Sequence, residues 1–137
     1  MSRDRRSLWK NISTSMKVNT ISLKAALVYT WAIPFFDDEG YQDGDPRILK
    51  GKIVPLRNEI TVNDLKKITQ EIAQAGLWVI LDVNGSIFIQ DPVFDRYQTF
   101  HSLHKIPSKI KSVIENHQNS TRVGAEMVKD GCISKEK

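Results

Sequence analysis

A chain of 137 residues with 26% charged and 40% apolar residues fits one modest globular domain with tails better than two domains. The single cysteine, Cys132, excludes an internal disulfide, and no Cys/His spacing suits a zinc framework. No apolar run approaches the roughly 18 residues of a membrane span and no apolar stretch follows the basic N-terminus as a secretory leader requires, so a cytoplasmic protein without membrane contact is expected.

The net charge of +4 is unevenly spread. Residues 1–17 hold five Lys/Arg against one Asp and are predicted to form a basic arm, with a short helical piece near Trp9. Such an arm seeks phosphate or simply keeps the chain solvated. Residues 18–91 hold seven Lys/Arg against ten Asp/Glu, so the predicted domain is itself acidic.

Ser22 is a good N-cap for a first helix. Leu23, Leu27 and Trp31 follow at i, i+4 and i+8, which predicts one buried face, and Pro34 ends the helix near Ile33. The acidic stretch 37–44 reads as a loop. Asp45-Pro46 starts a second helix over residues 46–54, with Ile48 and Ile53 inward, Lys50 and Lys52 outward, and Pro55 as the stop. Thr61 caps a third helix, and Asp64 stands where a capping box prefers Glu or Gln. Val62, Leu65, Ile68, Ile72 and Ala75 make its apolar face, and Gly76 closes it.

Residues 77–83 and 86–90 flank Asn84-Gly85, a strong hairpin signal. A two-residue turn sets Val83 opposite Ser86, Leu81 opposite Phe88 and Ile80 opposite Ile89. Alternation is weak, so both faces of the hairpin are expected to be covered, one by the helices and the other by the segment after Gln90. Residues 91–106 read as irregular and 107–118 as a short helix. The polar tail from Asn119 is predicted to be disordered. Trp31, Phe35 and Phe88 are expected in the core, while Trp78 and Tyr97 fit either a core or a self-association surface.

Three helices and a terminal hairpin, with a short joint around Pro55, describe an α+β winged helix-turn-helix domain over residues 18–100. It lies between a flexible arm, 1–17, and an extension, 101–137, that is partly helical and then disordered. The same element count also suits other small α+β domains.

The acidic loop with Asp37, Asp38 and Gly40, the Gly44-Asp45-Pro46 start, the Pro55 stop, Ala75-Gly76-Leu77 and the pair Tyr97-Gln98 occur in a characteristic order. In this the chain resembles the N-terminal winged-helix domain of phage replisome organisers and related DnaD-like replication-initiation proteins, over about residues 18–100. The resemblance implies a role around replication initiation: DNA binding, self-association, or delivery of a replicative helicase. Little sequence follows Gln90, where such proteins often carry a second region that contacts single-stranded DNA or the helicase. DNA binding or protein contact is therefore expected ahead of helicase loading.

Other chemistries find no support in the sequence. A calcium loop needs Glu at its twelfth position, and counting from Asp37 or Asp43 gives Ile48 or Val54. His101, His104 and His117 have no partner ligands at a telling spacing. There is no Gly-rich phosphate loop and no nucleophile–base signature, so neither an enzyme nor a cofactor is expected. Asn63, Lys66, Lys67, Gln70 and Gln74 fall outside the apolar stripe of the third helix, where Asn and Gln suit adenine edges and Lys suits guanine or phosphate. With the hairpin tip, Asn84 and Ser86, and with Arg3, Arg5 and Arg6 of the arm, they form the expected surface for duplex DNA. The bland alternative is an ordinary solvated helix face. The function expected is a non-enzymatic DNA-binding protein of phage or prophage type, acting in replication initiation or its control. The rivals are an oligomerisation or protein-contact module of a replisome or helicase-loading assembly, and a transcriptional regulator.

Overall fold

The computed structural model describes residues 6–94 and 107–116, and the backbone of Thr121–Gly124. A 3-10 turn, Lys10–Thr14, leads into α1 (Met16–Thr20) and α2 (Leu23–Ala32), which runs on into a second 3-10 turn, Ile33–Phe35. Then come β1 (Tyr41–Asp43), α3 (Pro46–Ile53), α4 (Val62–Gln74), β2 (Val79–Val83), β3 (Ser86–Gln90), α5 (Lys109–Glu115) and β4 (Thr121–Gly124). The four strands form one antiparallel sheet in the order β1-β3-β2-β4. The molecule is therefore a mixed α+β fold built on a small sheet. No helix among the described residues is long and apolar enough to cross a membrane.

Local chemistry accounts for the element ends. Ser22, Asp45 and Thr61 each accept a backbone N–H as N-cap of α2, α3 and α4. Around α4 the capping box is complete: Thr61 Oγ1 accepts from Asp64 N–H at 3.1 Å, and Asp64 Oδ2 accepts from Thr61 N–H at 3.0 Å. Asp is thus long enough to do the work usually given to Glu. Ile60 just before the cap and Leu65 in the next turn are both buried in the same cluster, the placement of a hydrophobic staple.

At the other end of α4, Gly76 N–H donates to Ala73 O at 2.9 Å and Leu77 N–H to Ile72 O at 3.2 Å. This pair of bonds is the Schellman closure, and Gly76 adopts the φ of +84° that it requires. The hairpin turns at Asn84 and Gly85, both at positive φ, in the registry expected of a two-residue loop: Val83 with Ser86, Leu81 with Phe88, Ile80 with Ile89.

The sheet separates two apolar clusters. On one side α2, α3 and α4 pack with Trp78, Ile89 and Phe94. Trp78 is fully buried and meets Phe36 edge-on, with ring centroids 6.0 Å apart. On the other side Tyr41, Val79, Leu81 and Val83 lie with Ile114 and Ile110 of α5, so the chain after Gln90 does cover the second face. Ser108 ties α5 in place. Its hydroxyl caps the helix and donates to Asp37 Oδ2 at 2.6 Å, while Asp37 Oδ1 accepts the N–H groups of Glu39 and Tyr41.

Several expectations are corrected. Leu23, Trp31 and Phe35 are exposed, and α2 instead buries Ala25, Val28 and Ala32. Apolar residues surround α2 on all sides, so periodicity alone does not choose its inner face; the small residues turn inward and let the helix approach its neighbours closely. On α3 Leu49 is buried and Ile48 exposed, and on α4 Val62 is exposed. Lys50 is not a free outward lysine, since its ammonium donates to Val54 O at 2.9 Å and Arg57 O at 2.7 Å and staples the joint after α3. Lys52 is half-buried, its ammonium over the Phe35 ring. The acidic stretch expected to be loop contains β1, which pairs with β3, and residues 121–124 of the expected disordered tail pair with β2. Tyr97 and the three histidines lie outside the described residues.

Candidate nucleic-acid interface

On α4, the buried positions Leu65, Ile68, Thr69, Ile72 and Ala73 define the inner stripe. Asn63, Lys67, Gln70 and Gln74, spaced i, i+4, i+7 and i+11, fall opposite it with Lys66 beside them, and all five are exposed. The structure thus brings these five predicted residues onto one face of a helix whose other face is fixed in the core. Neither Lys66 nor Lys67 has an ion-pair partner among the described residues.

The hairpin tip is a different environment. Asn84 and Ser86 are exposed as expected, but so is Asp82, whose Oδ1 accepts the Gly85 N–H at 2.9 Å. That carboxylate sharpens the turn and also places a negative charge next to the tip, which counts against phosphate contact there.

The arm is corrected at Arg6. Its guanidinium pairs with Asp38 at 2.8 Å, with side chains only 5% and 1% exposed, donates to Phe36 O at 2.9 Å and lies 5.2 Å from the Phe94 ring centroid. An arginine so enclosed is a fastener of the fold, not a phosphate contact. Arg3 and Arg5 lie outside the described residues. Nothing in the sequence separates Arg6 from its neighbours in the arm; Asp38, thirty-two positions away, decides its fate.

The acidity of the domain also finds a location. Asp45 and Asp64 serve as caps, and hydrogen bonds hold both carboxyls below the usual range: Asp45 through the Arg47 side chain and backbone, Asp64 through the Thr61 backbone and hydroxyl. Glu71, on the flank of α4, accepts Ser22 N–H at 2.6 Å and Ser22 Oγ–H at 3.1 Å. Asp91 accepts Val93 N–H at 3.1 Å, and burial pushes its carboxyl up to about 6. These carboxylates close turns and helix ends, and none belongs to the polar stripe of α4. That stripe carries amides and two ammonium groups, which can donate to base edges and phosphates. No group of His, Cys, Asp and Glu able to hold a metal ion occurs among the described residues. No protein-family model matches this chain, and no curated protein or solved structure gives a significant match.

Proposed function

We propose that this chain is a non-enzymatic, duplex-DNA-binding protein whose core is a winged helix-turn-helix, with α4 as the recognition helix and the β2–β3 hairpin as the wing. The observation that carries this reading is the exposed stripe of Asn63, Lys66, Lys67, Gln70 and Gln74 on a helix anchored by its other face. The element order supports it: a helix, a short strand paired to the far hairpin strand, two helices joined by residues 54–61, then the hairpin. In the major groove Asn63, Gln70 and Gln74 read base edges while Lys66 and Lys67 meet guanine or phosphate. Asn84 and Ser86 touch the adjacent backbone. The sequence resemblance to replisome organisers makes replication initiation, or its control, the proposed process.

A salt titration of duplex binding tests this. Affinity is expected at about 50 mM salt and should fall steeply as salt rises. Lys67→Ala should weaken binding to all sequences alike and lower the salt slope by about 1. No measurable affinity at low salt overturns the proposal, and an unchanged slope for Lys67→Ala removes α4 from the interface.

A further inference from the structure

Residues 7–18 form a strap that is fastened at both ends. At one end the Arg6 guanidinium pairs with Asp38 at 2.8 Å and donates to Phe36 O at 2.9 Å. At the other, just past α1, the Ser22 N–H and hydroxyl both donate to Glu71 of α4. Between these anchors the strap holds its own shape. Ser15 caps α1 by accepting Val18 N–H at 3.3 Å, and the Asn19 amide donates to Ser13 O at 2.9 Å and Ser15 O at 2.7 Å. Strap and body together enclose a cavity of about 490 Å³.

That volume falls within the range of small-ligand sites, about 300–1,000 Å³. On the body side Tyr29, Leu77 and Val93 line it, each only partly buried. On the strap side Trp9, Ile12 and Met16 do, with Trp9 48% and Met16 78% exposed. The charged residues that line it are Asp91 and Lys17. Lys17 is exposed, so water hydrates its ammonium. Asp91 is partly buried at the end of β3. Its Oδ1 accepts Val93 N–H at 3.1 Å, and its other carboxyl oxygen has no partner among the described residues. Asp91 also lines a smaller cavity, of about 360 Å³, with Glu39, Tyr41 and Lys111. Neither Lys17 nor Lys111 offsets the burial that pushes the Asp91 carboxyl up to about 6. A carboxylate short of both water and a cation is stabilised by any ligand that brings a positive charge.

We propose that the cavity under the strap binds a small apolar amine, its carbon skeleton among Trp9, Ile12, Tyr29 and Leu77 and its ammonium donating to the free oxygen of Asp91. A cation within about 6 Å of an indole or phenol ring gains further attraction, which Trp9 and Tyr29 can supply. A carboxylate ligand meets the like charge of Asp91, and a neutral one leaves that oxygen without a donor. A metal ion finds one carboxylate where it needs several oxygen ligands. The polar stripe of α4 takes no part, so the proposal does not depend on the DNA-contact reading.

The test is a titration of the isotope-labelled full chain with three probes on one skeleton: tryptamine, tryptophol and indole-3-propionate. Tryptamine should shift the resonances of Trp9, Tyr29 and Leu77 and bind at least about tenfold more tightly than tryptophol, as a charge-assisted bond in place of a neutral one allows. Its affinity should weaken as pH falls through about 6, where the Asp91 carboxyl takes up its proton and the amine keeps its own. Asp91→Asn still offers an oxygen to Val93 N–H, so the fold should persist while the preference for tryptamine over tryptophol disappears. Lys17→Gln should leave that preference unchanged. Absence of binding at about 10 mM probe, tenfold above a Kd of about 1 mM, overturns the proposal, as does equal affinity for tryptamine and tryptophol. Tighter binding of indole-3-propionate, lost in Lys17→Gln, overturns it in favour of an anion site. Shifts centred on Tyr41 and Lys111 overturn it by placing the amine in the neighbouring cavity.

Discussion

The outer faces of α2 and α4 are opposites, although both helices are anchored in the same core cluster. α4 buries Leu65, Ile68 and Ile72 and presents amides and lysines. α2 buries Ala25, Val28 and Ala32 and presents Leu23, Trp31 and Phe35. In α4 hydrophobicity decides which side faces in. In α2, where every side is apolar, size decides, because the helix must come close to its neighbours and only small residues permit that approach. A polar outer face needs no partner to be soluble, whereas an apolar one invites cover.

That contrast is sharpened first by Ile72→Ala, which empties a fully buried site on the inner face of α4. It should cost about 2–5 kcal/mol in urea unfolding. Ala32→Leu tests the inner face of α2 from the opposite direction, by overfilling it. A loss of about 1–3 kcal/mol is expected, partly because Ala32 O accepts the Gln42 side-chain amide at 3.0 Å and the strand β1 must shift with it. Leu23→Gln should have the smallest effect, within about 0.5 kcal/mol, as for other surface substitutions. If Leu23→Gln proved as costly as Ile72→Ala, the assignment of outer and inner faces on α2 would be wrong.

The same distinction explains what the sequence discloses. α4 is legible almost to the residue: the Thr61 cap, the apolar period, the Gly76 end and the polar stripe are all local signals. The hairpin register follows from the two residues of its turn. What stays hidden is decided at long range. β1 has three residues and becomes a strand only because β3 offers it partners some 47 positions later in the chain. Arg6 looks like any other cation of a basic arm until Asp38 encloses it. Trp78, open to either role in the sequence, is buried because Tyr29 and Phe36 from the α2 region converge on it. The candidate DNA surface is legible because exposure on a regular helix follows from period, whereas the α2 stripe is misassigned because period without polarity carries no direction.

The closure at Gly76 has a consequence for the entropy of association. Only residues 75–78 separate the end of α4 from the start of β2, and within them two backbone hydrogen bonds and the buried indole of Trp78 leave no slack. Helix and hairpin are therefore one body, and a ligand spanning the polar stripe and the tip at Asn84 finds their spacing already set. The freedom lost on contact is then confined to side chains, about 0.5–1.5 kcal/mol for each long one immobilised. Lys66, Lys67, Gln70 and Gln74 bear that loss, and shortening or stiffening them is the direct route to changing affinity without touching the scaffold.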